Sequence, residues 1–124
     1  MAETRHTTSY YAASANPAPE RPALQGSHET DVCIVGAGFT GISAALHLAE
    51  QGFKVTVLEA VKVGFGASGR NGGQIVNSYS RDIDVIERTL GAQQARLLGD
   101  MAFEGGRIIR ERVAQYNIQC DLKD

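Results

Sequence analysis

The segment Asp31-Val32-Cys33-Ile34-Val35-Gly36-Ala37-Gly38-Phe39-Thr40-Gly41 constrains the fold more than any other part of the chain. The apolar run Val32 to Val35 enters a Gly-x-Gly-x-x-Gly turn. A helical pattern leaves it, and a second apolar run, Val55 to Leu58, ends on the acid Glu59. Strand, glycine turn, helix and strand in that order make a parallel βαβ unit of an α/β, Rossmann-like fold. The first glycine permits the tight turn, the second lets backbone approach a pyrophosphate, and the third lets the helix pack close to the strand. Free N–H groups at the helix start, with their partial positive charge, meet phosphates. A lone Gly-x-Gly-x-x-Gly is a weak signal. Here it has its context, with an acid 18 positions after Gly41, where a separation of about 20 is expected. Glu59 can accept hydrogen bonds from both hydroxyls of an adenosine ribose, and its charge repels the 2′-phosphate of NADP. The unit alone leaves FAD and NAD open. The plain alternative is a glycine turn with no ligand.

Residues 1–28 read as an irregular arm, with Pro17, Pro19 and Pro22 inside six positions. Tyr10 and Tyr11 either dock this arm on the body or belong to a loose tail. Beyond it, residues 29–124 read as the N-terminal part of a cofactor-binding domain. Strand one is expected over Thr30 to Val35 and a helix from Thr40 to Gln51. The apolar residues Ile42, Ala45, Leu46 and Ala49 of that helix fall at i, i+3, i+4 and i+7. Gly52 is placed to stop it, and strand two follows over Lys54 to Glu59. Further on, Ser80 or Asp82 caps a short helix carrying Ile83, Val85, Ile86 and Leu90. A longer helical pattern runs from Ala92 to Tyr116, where the pair Gly105-Gly106 suggests a kink or a close contact. Ile118 to Leu122 suggests a further strand. Two parallel strands are an incomplete sheet, since such sheets are stable with both faces covered. The chain therefore reads as a truncated N-terminal segment of a longer protein, its substrate domain missing.

Composition narrows the function classes. The chain has 124 residues, 43% hydrophobic and 21% charged, with a formal net charge of −2. That balance gives no basic excess for nucleic acid and no acidic tail. No apolar run nears the roughly 20 residues of a membrane span, and the polar start lacks the core of a secretory signal. Cys33 and Cys120 belong to no CxxC or Cys/His cluster, so neither a disulfide framework nor a metal site is expected. Two reduced cysteines fit a cytoplasmic protein. His47 lies off the apolar face of its helix, and Arg107 with Glu111 forms an i, i+4 pair on a solvated face. No Ser/His/Asp set or paired carboxylate has the spacing of a hydrolase, and the catalytic residues are unassigned.

Nine of the 14 glycines lie between Gly36 and Gly73. The second concentration is Gly64-Phe65-Gly66-Ala67-Ser68-Gly69-Arg70-Asn71-Gly72-Gly73-Gln74. Small residues let backbone lie against a large flat ligand. Ser68 can donate to a phosphate oxygen, and Arg70 can neutralise pyrophosphate or oppose negative charge on a reduced flavin. Asn71 and Gln74 offer amides to a polar ring edge. The bland alternative is a flexible surface loop with a solvated arginine.

Glu59 followed by Gly66-Ala67-Ser68-Gly69-Arg70-Asn71-Gly72-Gly73-Gln74 resembles the N-terminal FAD-binding segment of the D-amino-acid-oxidase-like flavoenzymes, the family of glycine and sarcosine oxidases. Ser9 to Ala15, Ala44 to Glu50, Val63 to Asp84, Phe103 to Gly106 and Ile108 to Arg112 narrow the resemblance to the gamma-glutamylputrescine oxidase branch. The resemblance implies FAD as cofactor. Gly36, Ala37, Gly38, Phe39, Thr40 and Gly41 would lie at the pyrophosphate, and Glu59 with Ala60 at the ribose. Ser68, Arg70, Asn71, Gly72 and Gly73 would lie along the pyrophosphate and ring. It also implies oxidation of an amine C–N bond of gamma-glutamylputrescine by oxygen, giving an aldehyde, ammonia and hydrogen peroxide, in putrescine breakdown. The alternatives are a sibling amine or amino-acid oxidase, an NAD-dependent dehydrogenase and a non-catalytic remnant.

Overall fold

The computed structural model describes residues 10–123. Its elements are α1 (Tyr10–Ser14), β1 (Val32–Val35), α2 (Phe39–Glu50), β2 (Val55–Leu58), α3 (Ile83–Leu90) and α4 (Ala92–Gln115), with one 3₁₀ turn at Ala67–Gly69. The chain divides into two compact units, Met1–Gly72 and Gly73–Asp124.

The first unit contains the expected βαβ arrangement. β1 and β2 form a two-stranded parallel sheet in the register Val32 to Val55 through Val35 to Leu58. Both strands are shorter than expected: before β1 the side chains of Thr30 and Asp31 bond to the Lys54 backbone, and after β2 the Glu59 carboxylate turns to the Ala37 N–H. The Asp31 carboxylate accepts the Lys54 N–H at 2.7 Å, and the Thr30 hydroxyl donates to the Lys54 carbonyl at 2.6 Å. These bonds pin the entry to the sheet. At the other end the Gly36 N–H donates to the Leu58 carbonyl at 2.7 Å, aligning the glycine turn with the end of β2.

α2 packs on this sheet through a face that shares Ala45 and Leu46 with the expected one but is rotated toward Gly41 and Leu48. Gly41, Ala45, Leu46 and Leu48 are half-buried, whereas Ile42 and Ala49 are exposed. The reason is Gly41. A Cβ there would overlap the Gly36 carbonyl oxygen and stand 3.3 Å from Ile34 Cγ2. Gly41 therefore faces the strand, and the face continues at i+4 and i+7, Ala45 and Leu48. The larger apolar residues do not set the rotation; the closest backbone approach does. The helix stops at Gly52, with φ +89°, in a Schellman motif: Gly52 N–H bonds to Ala49 O and Phe53 N–H to Leu48 O. On β1, Val32 and Ile34 are half-buried, while Cys33 and Val35 alternate to the exposed side. One face of β1 is thus covered and the other open.

The arm is not irregular throughout. Tyr10–Ser14 forms a short helical turn closed by the Ser14 hydroxyl on the Tyr10 carbonyl at 2.9 Å. Residues 15–28 carry no regular element. The expectations for residues 1–9 lie outside the described residues.

In the second unit α3 packs on α4. Asp82 is the cap residue of α3, through its carbonyl rather than its side chain. α4 runs without a break through Gly105-Gly106, and of the pair it is Gly106 that marks a close contact, while a Cβ on Gly105 would meet nothing within 4 Å. Gly106 is buried, and a Cβ there would stand 2.7 Å from Asn77 Oδ1 and 3.4 Å from Ile75 Cγ2. The Tyr79 hydroxyl donates to the Leu98 carbonyl at 2.8 Å. Arg107 pairs with Glu111 at 2.6 Å on the exposed face, as expected. The strand expected at Ile118 to Leu122 is absent. Asn117, with φ +49°, closes α4 in a second Schellman motif through Asn117 N–H to Ala114 O and Ile118 N–H to Val113 O. Asp121 also takes a positive φ, +52°, which a strand does not accommodate.

Candidate functional site

The first unit brings three separate stretches of sequence to the start of α2: the Gly36–Gly41 turn, the acid after β2 and the second glycine loop. Each stretch is placed by identifiable bonds.

The turn itself is backbone. Gly36 has φ +101°, a left-handed geometry that disfavours any side chain, and Ala37 behind it is only 2% exposed. α2 begins without a capping side chain of its own; its cap residue is Gly38. The first N–H of the helix, that of Phe39, instead bonds to the Ser68 hydroxyl at 2.9 Å, from 29 residues further along. A Cβ on Gly38 would also stand 2.9 Å from that hydroxyl, so the second glycine is what admits Ser68 to the helix end. Phe39, 68% exposed, and Thr40 present their side chains outward on the first turn.

Glu59 stands against the same turn. Its Oε2 accepts the Ala37 N–H at 2.8 Å, and its Oε1 accepts the Val61 N–H at 3.1 Å. Backbone donors at Ala37, then Val61, and a weaker one at Ala60 hold its carboxyl below the ordinary value of 4.5, outweighing slight desolvation in the opposite sense. Glu59 is therefore a carboxylate at neutral pH. Both of its oxygens are held by backbone donors, and the side chain is exposed, so it keeps acceptor capacity toward solvent.

The second glycine loop is docked on the first turn. The Gly64 N–H donates to the Ala37 carbonyl at 2.9 Å, and Ser68 reaches Phe39. Within the loop, the Asn71 amide donates to the carbonyls of Ser68, at 2.8 Å, and Ala67, at 3.3 Å, and so braces the 3₁₀ turn. Arg70 donates from Nε to the Phe65 carbonyl at 3.1 Å, and its guanidinium carbon lies 5.0 Å from the centre of the Phe65 ring. Phe65 positions this arginine, a role that the residue pattern alone did not single out; the signal was an aromatic five residues before an arginine in a loop of small residues. The Gly72 carbonyl accepts the Tyr11 hydroxyl at 2.7 Å, which docks the arm on the body.

Of the residues expected to bind a cofactor, Gly36 to Gly41, Glu59, Ala60, Ser68, Arg70, Asn71 and Gly72 thus share the first unit, while Gly73 opens the second. The residues present fit the ADP part of a dinucleotide. The helix start carries a hydroxyl in place of a cap of its own, glycine allows close backbone approach, and a carboxylate is fixed beside the turn.

A parallel βαβ unit with a glycine turn at the helix start and an acid at the end of the second strand is the dinucleotide-binding architecture. The chain belongs to the FAD dependent oxidoreductase (DAO) family, which matches residues 31–124. It is 64% identical over 97% of its length to a gamma-glutamylputrescine oxidoreductase of Escherichia coli, covering 28% of that protein. It is 48% identical over 99% of its length to a probable oxidoreductase, OrdL, of Haemophilus influenzae, again covering 28%. An L-amino acid oxidase of Lachesis muta is 39% identical over 77% of the chain, which covers 16% of that relative. The chain thus spans little more than a quarter of the length of the first two relatives. No solved structure matches it. Among the described residues, no helix is long and apolar enough to cross a membrane.

Proposed function

We infer that this chain is the ADP-binding segment of an FAD-dependent amine oxidase acting on gamma-glutamylputrescine or a close analogue, in the cytoplasm. The observation that carries the flavin reading is the docking of the second glycine loop on the first turn, through Ser68 to Phe39 and Gly64 to Ala37. A nicotinamide-binding βαβ unit has no need of that loop. The substrate reading draws support from the 64% identity to the E. coli gamma-glutamylputrescine oxidoreductase.

In this reading the pyrophosphate lies at the start of α2, against the N–H groups of the turn, with the Ser68 hydroxyl beside it. The Ser68 oxygen accepts from Phe39, so its own proton is available to a phosphate oxygen. Glu59 takes the adenosine ribose. Arg70, held on Phe65, supplies positive charge, and Asn71 keeps the loop in shape. Bound FAD supplies the hydride acceptor that turns an amine into an imine, which water hydrolyses to aldehyde and ammonia while oxygen is reduced to hydrogen peroxide. No proton donor or acceptor from this segment is required for that chemistry.

The test is made on the full-length enzyme. It is expected to be yellow and to release peroxide with gamma-glutamylputrescine in preference to glycine or an N-methyl amino acid. A colourless protein that cannot be reconstituted with FAD would overturn the flavin reading. NADH-linked turnover would favour a dehydrogenase, and peroxide released from another amine would move the substrate to a sibling oxidase.

A further inference from the structure

The Tyr11 hydroxyl of the arm makes a bond that neither the βαβ unit nor the glycine loop requires for its own geometry. Tyr11 lies in the helical turn Tyr10–Ser14, which the Ser14 hydroxyl closes. Its hydroxyl donates to the Gly72 carbonyl at 2.7 Å, across 61 residues of sequence. The Tyr10 ring stands edge-on to the Tyr11 ring, with centroids 5.7 Å apart and planes at 79°, which limits the swing of Tyr11. The loop that Gly72 ends is held elsewhere by Asn71 to Ser68 and by Ser68 to Phe39. Tyr11 holds it from the side of the arm. A peptide plane is rigid, and the N–H of the next residue lies on the edge opposite the carbonyl in a trans peptide. Anchoring the Gly72 carbonyl therefore also sets the direction of the Gly73 N–H.

We propose that Tyr11 is a positioning residue for the flavin: its hydroxyl holds the Ser68–Gly72 loop, through the Gly72 carbonyl, in the shape that receives FAD. This rests on the flavin reading above. It gives the arm a role in cofactor retention, although the arm precedes the βαβ unit and carries no glycine motif. Nothing in the βαβ pattern requires a tyrosine 25 residues before Gly36.

The full-length enzyme is stripped of FAD and titrated with it, with flavin fluorescence as the readout. The visible circular dichroism of the bound flavin and the melting temperature of the apoprotein are recorded in parallel. Tyr11→Phe removes only the hydroxyl. It is expected to weaken FAD binding about threefold to tenfold, the size of one neutral hydrogen bond, and to alter the flavin dichroism. The apoprotein is expected to melt within about 1 °C of wild type. Tyr10→Phe is expected to leave all three readouts unchanged. Unchanged FAD affinity and dichroism in Tyr11→Phe would overturn the proposal. So would an equal loss in Tyr10→Phe, or a fall in apoprotein melting temperature that accounts for the loss, since either marks a merely structural arm. Wild-type enzyme that does not bind FAD would overturn the flavin reading, and this proposal with it, and is distinguished by the control titration.

Discussion

The Gly36–Gly41 turn and the Gly64–Gly72 loop are both rich in glycine, but they use it differently. In the turn, glycine keeps backbone against backbone: a Cβ on Gly41 would overlap the Gly36 carbonyl, and Gly36 itself sits at φ +101°. In the loop, a Cβ on Gly66 would meet nothing within 4 Å, and the structure is carried by side chains: Ser68 on Phe39, Asn71 on Ser68, Arg70 on Phe65. A backbone contact cannot relax when a side chain is added, whereas a side-chain contact can be lost singly. The turn should therefore fail all at once and the loop by degrees.

Gly41→Ala should break the turn with the largest effect. Relief of the overlap requires α2 to move off β1, a strain on the order of 3 kcal/mol. FAD binding by the full-length enzyme should fall more than a hundredfold, with a lower melting temperature. An alanine variant that retains flavin and melts normally would show that the turn tolerates side chains as the loop does.

Glu59 belongs to neither glycine stretch but stands against the first. Glu59→Gln keeps the size and removes the charge, and it places an amide where Oε2 now meets the Ala37 N–H. FAD affinity should drop about tenfold to a hundredfold, the range for hydrogen bonds to a charged group. The pH dependence follows from the direction of the shift. The folded-state value is lowered, so the contribution of Glu59 is fully present above its ordinary value of 4.5 and is lost as pH falls through the folded value below that. FAD affinity of wild type should be flat around neutrality, and a titration centred near pH 7 would exclude Glu59 as its source.

Phe65→Leu tests the loop alone. The Arg70 Nε bond to the residue 65 carbonyl survives the change, and only the ring under the guanidinium is lost. An exposed cation–π contact is worth a factor of about two to five. FAD affinity should fall by that much, and Phe65→Tyr should restore it. Equal losses in both variants would show that the ring face under the guanidinium does not set the affinity.

The contrast between turn and loop also marks what was legible in the sequence. The βαβ unit, its parallel sheet and the stop at Gly52 follow from short-range rules: apolar runs, glycine spacing and a left-handed residue after a helix. Periodicity misplaces the rotation of α2 because it weighs apolar size, while the contact is set by the residue with no side chain, Gly41. The expected strand at Ile118 failed because an apolar residue after Asn117 looks the same whether it starts a strand or closes a Schellman motif. In the loop, the residue types were readable but their partners were not. Ser68 meets Phe39 across 29 residues and Tyr11 meets Gly72 across 61, separations at which no local pattern carries information.

Ser68→Ala gives the smallest effect on cofactor and the sharpest test of how the two regions cooperate. In the free protein the Ser68 oxygen serves as the missing cap of α2 by accepting the Phe39 N–H. Its removal should destabilise the apoprotein by about 0.5–1 kcal/mol, the lower end for a lost helix cap. In the proposed bound state a phosphate oxygen stands at the same helix end and can satisfy the same N–H. The variant then loses one hydroxyl donor to the phosphate but gains a donor that Ser68 had occupied, and the two changes oppose each other. FAD affinity should change less than about threefold, within the range of one neutral hydrogen bond, while the apoprotein melts lower and the holoprotein almost normally. A loss of flavin as large as that of Gly41→Ala would mean that Ser68 holds the cofactor by itself, and that the loop, like the turn, fails all at once.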